Sequence, residues 1–420
     1  MADISATPIL AEKDPLTLAN SWPDALPVSC KELFLDAVCA SDRKPSTSGK
    51  WDTILSAIHT PPSCPVAQVA LAQFFTPSDV ALYSAFGLLA SYSGERVFDP
   101  CTGHGSLLIA AALVLAEKEK LTGMGLVTKI HGCELDPTTR TIAIENLTFV
   151  LALLSPEVGQ DNIKAKLENQ ITLGDFNRYP DQDLTNCRVI ANPPYKEGPT
   201  GNVWIPIAEK LVHADIAAIS LIVPVAIATS KRTQNLRNAL FAKFAAIRAF
   251  HHEIRPRPLF RGVDQRISII TASKSDNEPQ YVTTGFLRHK TGERLSIWYA
   301  PETLLTHREC RGVFPKVAPT EIEYFREFIT GNNRIRIADL DPEVSESVWV
   351  RTTGRYRLLA QTDKPEEVTS KWKRLRVPKQ IAAQFVKAFS DGDLLRWWQI
   401  FGDGRDISIT ALQHAYGVRP

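Results

Sequence analysis

Asn192-Pro193-Pro194-Tyr195 is the stretch of this chain whose residue types most directly suggest chemistry. It follows Arg188-Val189-Ile190-Ala191, a short apolar run that reads as a strand. Neither proline has an N–H to give to a ladder, so the backbone must leave the sheet there in an extended, rigid turn. The turn fixes two acceptors, the Asn192 side-chain oxygen and the Pro193 carbonyl, beside the Tyr195 ring. That set suits a planar NH2 group. The acceptors take its two hydrogens, its lone pair is left to attack, and the ring stacks on the group that bears it. Taken alone, the four residues also read as an ordinary proline turn.

Three strand-end segments upstream decide between these readings. Val97-Phe98-Asp99-Pro100-Cys101-Thr102-Gly103-His104-Gly105-Ser106-Leu107-Leu108 reads as a strand end, a Gly-rich turn and a helix start. Gly103 and Gly105 permit positive φ and close approach of backbone to a ligand, and Ser106 is a candidate cap for a helix over 107–118. The three-glycine dinucleotide fingerprint is absent, so the turn suits a cofactor without a pyrophosphate. Lys129-Ile130-His131-Gly132-Cys133-Glu134-Leu135-Asp136-Pro137 is a second strand ending in acid, the position that takes ribose hydroxyls in doubly wound sheets. Ile171-Thr172-Leu173-Gly174-Asp175-Phe176 is a third. There Asp175 could accept from an adenine amine while Phe176 packs on the ring.

In this order the segments resemble the S-adenosylmethionine-dependent DNA amino-methyltransferases, most closely the gamma class of adenine-N6 enzymes found in restriction-modification and related defence systems. Gln73-Phe74-Phe75-Thr76-Pro77 is similar to their Phe-x-Thr-Pro cofactor motif. Asn202 to Lys210 and Ala218 to Pro224 resemble the helix and strand after the catalytic loop. Arg257 to Ile270 resembles the segment that carries a base-stacking aromatic, here Phe260. The resemblance covers roughly residues 70–275.

It implies that the loop from Asp99 through Pro100, Cys101 and Gly103 to Gly105 holds the methionine part of S-adenosylmethionine. Phe75, Thr76 and Pro77 would close over it, Glu134 with Leu135 would bind the ribose, and Asp175 with Phe176 the adenine. Asn192, Pro193, Pro194 and Tyr195 would act on the N6 amine of an adenine flipped out of double-stranded DNA, stacked on Tyr195 and Phe260. Asn at 192, rather than Ser, favours adenine over cytosine. The same four residues also occur in methyltransferases of glutamine amides and of RNA bases, and the glutamine enzymes lack a long basic C-terminal region. A DNA-binding, methyltransferase-like subunit of a defence complex is a further alternative. A partner subunit for specificity stays open, because the recognition region is short.

Charge supports a polyanionic partner. Residues 1–230 carry 16 Lys and Arg against 25 Asp and Glu, and residues 231–420 carry 32 against 21. An acidic catalytic half beside a basic C-terminal half suits nucleic acid met mainly from one side. Two stretches concentrate the cations. Residues 231–274 include Arg255, Arg257, Arg261 and Arg266, and residues 351–379 include Arg355, Lys373, Arg374 and Arg376. Each residue singly also reads as part of a solvated face. No stretch has the length of a membrane-spanning helix, and no signal-like segment opens the chain. The seven cysteines have no Cys-x-x-Cys spacing, so neither zinc nor a disulfide framework is suggested, and a reducing cytoplasm fits; His251-His252 has no partner at metal-ligand spacing, so no metal site is expected. His104 reads as a tolerated loop residue, and Cys101 and Cys133 as small fillers.

The elements that must position these residues alternate in a βαβ rhythm. Strands are expected at 96–98, 129–133, 171–173, 188–191, 217–223, 246–252 and 267–272. They predict an α/β fold: a doubly wound, mostly parallel, seven-stranded Rossmann-like methyltransferase sheet with one reversed edge strand. Residues 1–65 read as a small N-terminal helical segment with helices at 31–40 and 51–59. Residues 66–275 read as the catalytic domain, and residues 276–420 as a mixed α+β target-recognition region. That region is expected to hold strands at 281–286 and 295–299 and helices at 321–329 and 378–388.

Overall fold

A computed structural model of the chain describes residues 26–42, 54, 76–195, 197–198, 201–260, 263–331, 334–340, 345–352, 358–366, 368, 371–402 and 407–419. At its centre is a nine-stranded sheet. In chain order its strands are β1 (Val97–Asp99), β2 (Ile130–Glu134), β3 (Ile171–Leu173), β4 (Arg188–Ala191), β5 (Ala218–Pro224), β6 (Ala246–His252), β7 (Ile267–Ser273), β8 (Gln280–Leu287) and β9 (Thr303–Thr306). The spatial order is β9-β8-β6-β7-β5-β4-β1-β2-β3. Pairings are parallel except those of β7 with β5 and β6, and of β9 with β8.

All seven expected strands form within a residue or so of their expected ends. Two expectations are corrected. The reversed strand β7 is not at an edge but inserts between β5 and β6. The sheet also continues past residue 275, because β8 runs parallel to β6 and β9 closes that side. The polar break at 275–279 therefore joins two strands of one sheet.

The sheet's core follows from sequence pattern. β5 is apolar apart from Ser220 and buried from Ala218 to Val223, as expected of a strand covered on both faces. Helix α1 (Val28–Ser41) packs on α2 (Ser78–Leu88), which packs on α3 (Ser106–Lys118) and across the sheet. α2 and α3 bury almost every side chain, which explains why both are apolar all round. Arg188 in β4 fastens the C-terminal end of α2. Its guanidinium donates to the Leu88 carbonyl at 2.7 Å and pairs with Glu95 at 2.9 Å.

The start of α2 is anchored from far along the chain. Asp79 is fully buried and accepts two bonds from Arg294, at 2.6 and 2.9 Å, and one from the Trp298 indole at 2.9 Å. Arg294 also donates its backbone N–H to Asp42, just past α1. Trp298 packs its ring against Tyr83 and Phe34. Residues 295–299, expected as a strand, instead form a helical turn, Leu295–Trp298, that delivers this indole. The expected helix at 51–59 lies, Ile54 aside, outside the described residues.

Beyond the sheet lie helices Ile322–Thr330, Lys379–Ser390 and Asp393–Phe401 and a separate three-stranded antiparallel sheet of β10 (Ser345–Arg351), β11 (Leu359–Gln361) and β12 (Trp372–Pro378), with β10 in the middle and the helix Lys379–Ser390 packed on it. Among the described residues no helix is long and apolar enough to cross a membrane.

Candidate active site

The chain order reverses between β1 and β4, and ligands of open α/β sheets bind at the carboxyl ends of strands at such a switch point. A cavity of about 340 Å³ opens there, lined by the segments after β1, β2, β3 and β4. These are the four motif segments that the sequence places at strand ends.

The turn after β1 is held by the Asp99 carboxyl and by its own backbone. Asp99 accepts the Cys101 N–H at 2.9 Å, and Gly105 donates to the Thr102 carbonyl at 2.9 Å. Gly103 has φ +54° and Gly105 φ +88°, in the left-handed region that disfavours a side chain. Gly105 caps α3 and faces Leu147 rather than the cavity. A third glycine matters that the motif reading passes over. A Cβ on Gly132, inside β2, would stand 2.3 Å from the Thr102 hydroxyl oxygen, so this glycine lets the turn lie on the strand. A glycine inside a strand pattern is the available signal.

Glu134 is the most constrained acid of the site. It accepts N–H groups from Gly103 at 2.8 Å and from Leu135 and Asp136 at 3.0 Å each. Burial pushes its carboxyl above the ordinary range, and these three donors oppose the rise. Asp99 is buried more completely. Burial pushes it up to about 8, the Cys101 N–H works against this, and the nearby Glu134 charge adds to it. Its second oxygen has no hydrogen-bond partner among the described residues. Leu135 stands 68% exposed at the rim, an apolar surface positioned to cover a ligand. Asp175 accepts from the Asn177 backbone and side chain, while Phe176 is buried beside Tyr179 and under the Lys210 ammonium.

After β4, the Asn192 amide is gripped at both ends. Its Nδ2 donates to Thr76 Oγ1 at 3.0 Å, and its Oδ1 lies 2.6 Å from the Tyr195 hydroxyl, which also meets the Ile222 carbonyl at 3.0 Å. Thr76, Asn192, Pro193, Pro194 and Tyr195 all line the cavity. Tyr195 is 7% exposed, so its ring presents little surface here, and a stacked base requires the turn to open further.

Other expected residues fall elsewhere. Pro77 precedes α2 without lining the cavity. Phe75, Arg261 and Arg355 lie outside the described residues. Phe260 is a correction: it is 1% exposed and packs in the core, where no base reaches it. Arg266 is another. Its guanidinium is buried against Glu253 at 2.7 Å and is not available to a phosphate. Arg237 and Arg248 are buried too, the first on backbone carbonyls and the second on Glu302, so three arginines of the 231–274 cluster are internal, while Lys231, Arg232 and Lys274 stay exposed. Arg255 remains exposed beside Asp264, and Arg257 donates to Thr291. The second cluster behaves differently: Lys373, Arg374 and Arg376 are all exposed on β12.

His104, Asp136 and Asn177 also line the cavity, as do Val203 and Ile207 at the start of the helix Trp204–His213. The last two carry no signal beyond lying after the proline turn. Asp136 caps the helix Pro137–Leu154 by accepting the Thr139 N–H, which the Asp-Pro pair announces.

The family model of the N-6 DNA methylases matches residues 66–210, the stretch that contains every segment lining the cavity. The match bears out the resemblance read from the motifs. No curated protein matches the chain. Among solved structures, the chain is similar to a nuclease-deletion mutant of the Type ISP restriction-modification enzyme LlaGI in complex with a DNA substrate mimic, at 13% identity over 67% of this chain and 29% of that one, with a TM-score of 0.46. It is also similar to the DrdV–DNA complex, at 12% identity over 69% and 36%, with a TM-score of 0.49. A third similarity is to the M protein of the type I restriction enzyme EcoKI, at 14% identity over 88% and 84%, with a TM-score of 0.39. The chain spans about a third of the length of the first two.

Proposed function

We propose that this chain, which matches the N-6 DNA methylases over residues 66–210, transfers a methyl group from S-adenosylmethionine to the N6 amine of an adenine in DNA. One observation carries the reading. The Asn192-Pro193-Pro194-Tyr195 turn shares a single cavity with the Asp99 turn, Glu134 and Asp175. A group-transfer site needs a donor pocket and an acceptor pocket that meet, and the shared lining of this cavity supports that arrangement.

The residues fit the cofactor. The buried oxygen of Asp99 that has no partner among the described residues suits a cationic group such as the methionine ammonium. Glu134, held by three N–H groups, keeps its carboxylate placed for ribose hydroxyls. Asp175 stands beside Phe176 for the adenine ring, and Leu135 covers it from the rim. When bound, S-adenosylmethionine supplies an electrophilic methyl on a sulfonium.

The chain's own task is to position and to polarise. An exocyclic amine is a weak nucleophile because its lone pair is spread into the ring. Asn192 Oδ1 and the Pro193 carbonyl accept its hydrogens and return density to nitrogen, without a strong base. Thr76, holding the amide nitrogen, fixes which way Asn192 points. Most of the rate enhancement is then proximity and orientation. A base stacked within a duplex does not reach such a pocket, so the target must be flipped out. The exposed cations of β12 supply phosphate contacts, and a partner subunit would add sequence specificity.

The test is expression in a methylation-free host followed by sequencing for N6-methyladenine. Wild type should leave a recurrent mark, and Asn192→Ala none, while the variant still binds cofactor by calorimetry. An unmarked genome from a wild-type protein that binds both cofactor and DNA overturns the reading.

A further inference from the structure

We propose that the outer face of the β10–β12 sheet binds unpaired nucleic acid, stacking bases on Trp349 and Trp372. The inner face is apolar: Val348 and Val350 of β10 and Leu375 and Val377 of β12 are buried beneath the helix Lys379–Ser390. Alternation then puts Ser347, Trp349 and Arg351 on the opposite face of β10, and Trp372, Arg374 and Arg376 on that of β12. The register pairs Trp349 with Arg374, Arg351 with Trp372 and Ser347 with Arg376. Each indole therefore has a guanidinium directly across from it.

Two features of this face go beyond a generic basic surface. The first is unbalanced charge. Three arginines stand on it, Glu346 is turned to the other face, and among the described residues none of the three makes an ion pair. Ser347 accepts the Arg374 Nε–H at 2.8 Å, which steadies that guanidinium and leaves its Nη edge for a phosphate. Lys373, by contrast, falls on the inner-face parity at the sheet's end. The second feature is the pair of tryptophans, both only partly covered. They are diagonal neighbours across the strands, a separation of roughly 7–8 Å. That is about twice the 3.4 Å rise of stacked bases, which admits a base between the indoles or one on each.

A duplex keeps its bases stacked inside and offers phosphates and groove edges, so indoles add little to a duplex contact. An unpaired strand offers phosphates to the arginines and ring faces to the tryptophans, the combination that sequence-tolerant single-strand binders use. The proposal does not depend on methyl transfer, and its test runs without cofactor, so either reading can fail alone.

The experiment uses the full-length protein and fluorescence anisotropy with three labelled probes: oligo-dT, an abasic oligomer of equal length, and a duplex. Oligo-dT should bind more tightly than the abasic oligomer, because only the former has ring faces. Trp349→Leu and Trp372→Leu should each weaken oligo-dT binding by about 5- to 150-fold and leave the other two probes unchanged. Replacing Arg351, Arg374 and Arg376 by Ala should weaken all strands and lower the salt slope by up to about two units. Equal affinity of wild type for oligo-dT and the abasic oligomer overturns base stacking without recourse to any variant. So does a loss on Trp replacement that is equal for the duplex, an absence of loss, or no oligo-dT binding at all. In the last two cases the tryptophans are cross-strand packing for the sheet.

Discussion

Asp99→Asn should uncouple cofactor binding from proton release. In the cofactor-free protein burial holds Asp99 up to about 8, so at pH 7 it carries about 0.9 of a proton. The amide replacement keeps the shape, and its oxygen still accepts the Cys101 N–H. If the partnerless oxygen meets a cationic group of the cofactor, binding must ionise the carboxyl and expel that proton. Wild-type affinity should then rise nearly ten-fold from pH 6 to 7 and only about five-fold from pH 7 to 8, flattening above the pKa. Calorimetry in buffers of different ionisation enthalpy reads the proton directly, and the Asp99→Asn variant should release about one proton fewer at pH 7. Stability gives a second readout of opposite sign. Because folding raises this carboxyl, its contribution to folding is complete below the unfolded value near 4 and is lost as pH climbs through about 8. The cofactor-free wild type should therefore lose stability relative to Asp99→Asn over that window. Equal proton release by the two proteins, with parallel stability profiles, would refute the assignment of Asp99 to a cation.

Two further perturbations separate geometry from chemistry. Tyr195→Phe keeps the ring and deletes the hydroxyl shared by Asn192 and the Ile222 carbonyl. Methylation kcat should fall about five-fold, as for one net hydrogen bond, whereas Tyr195→Ala should abolish turnover with cofactor affinity intact; equal effects of the two would mean the ring does nothing. Arg294→Met strands the buried Asp79 carboxylate at the start of α2, three residues after Thr76. Urea titration should show a loss of about 3–5 kcal/mol, and a loss under about 1 kcal/mol would show that Asp79 is relieved by another route.

What sequence could reveal here was local. The strands were legible because each is a compact apolar run between turn residues, and the site was legible because its segments sit at strand ends, which topology gathers automatically. What it missed was set by partners far along the chain. β7 reads as a last strand yet inserts between β5 and β6, a choice made by non-local pairing. The one-turn helix at 295–298 has strand-like composition, and Arg294 is drawn to Asp79 across 215 positions. The two basic clusters make the physical point most clearly, since their compositions are alike. In 231–274, Arg248 and Arg266 are spent inside the protein on Glu302 and Glu253, and Arg237 on backbone carbonyls. On β12, strand alternation turns Arg374 and Arg376 outward beside Trp372, with the Ser347 hydroxyl steadying Arg374 from across the strand. The net charge of a segment is fixed before folding. The part of it that meets a phosphate is what remains after the interior has taken its partners: in 231–274 that remainder is scattered over Lys231, Arg232, Arg255 and Lys274, whereas on β12 it is gathered on one strand.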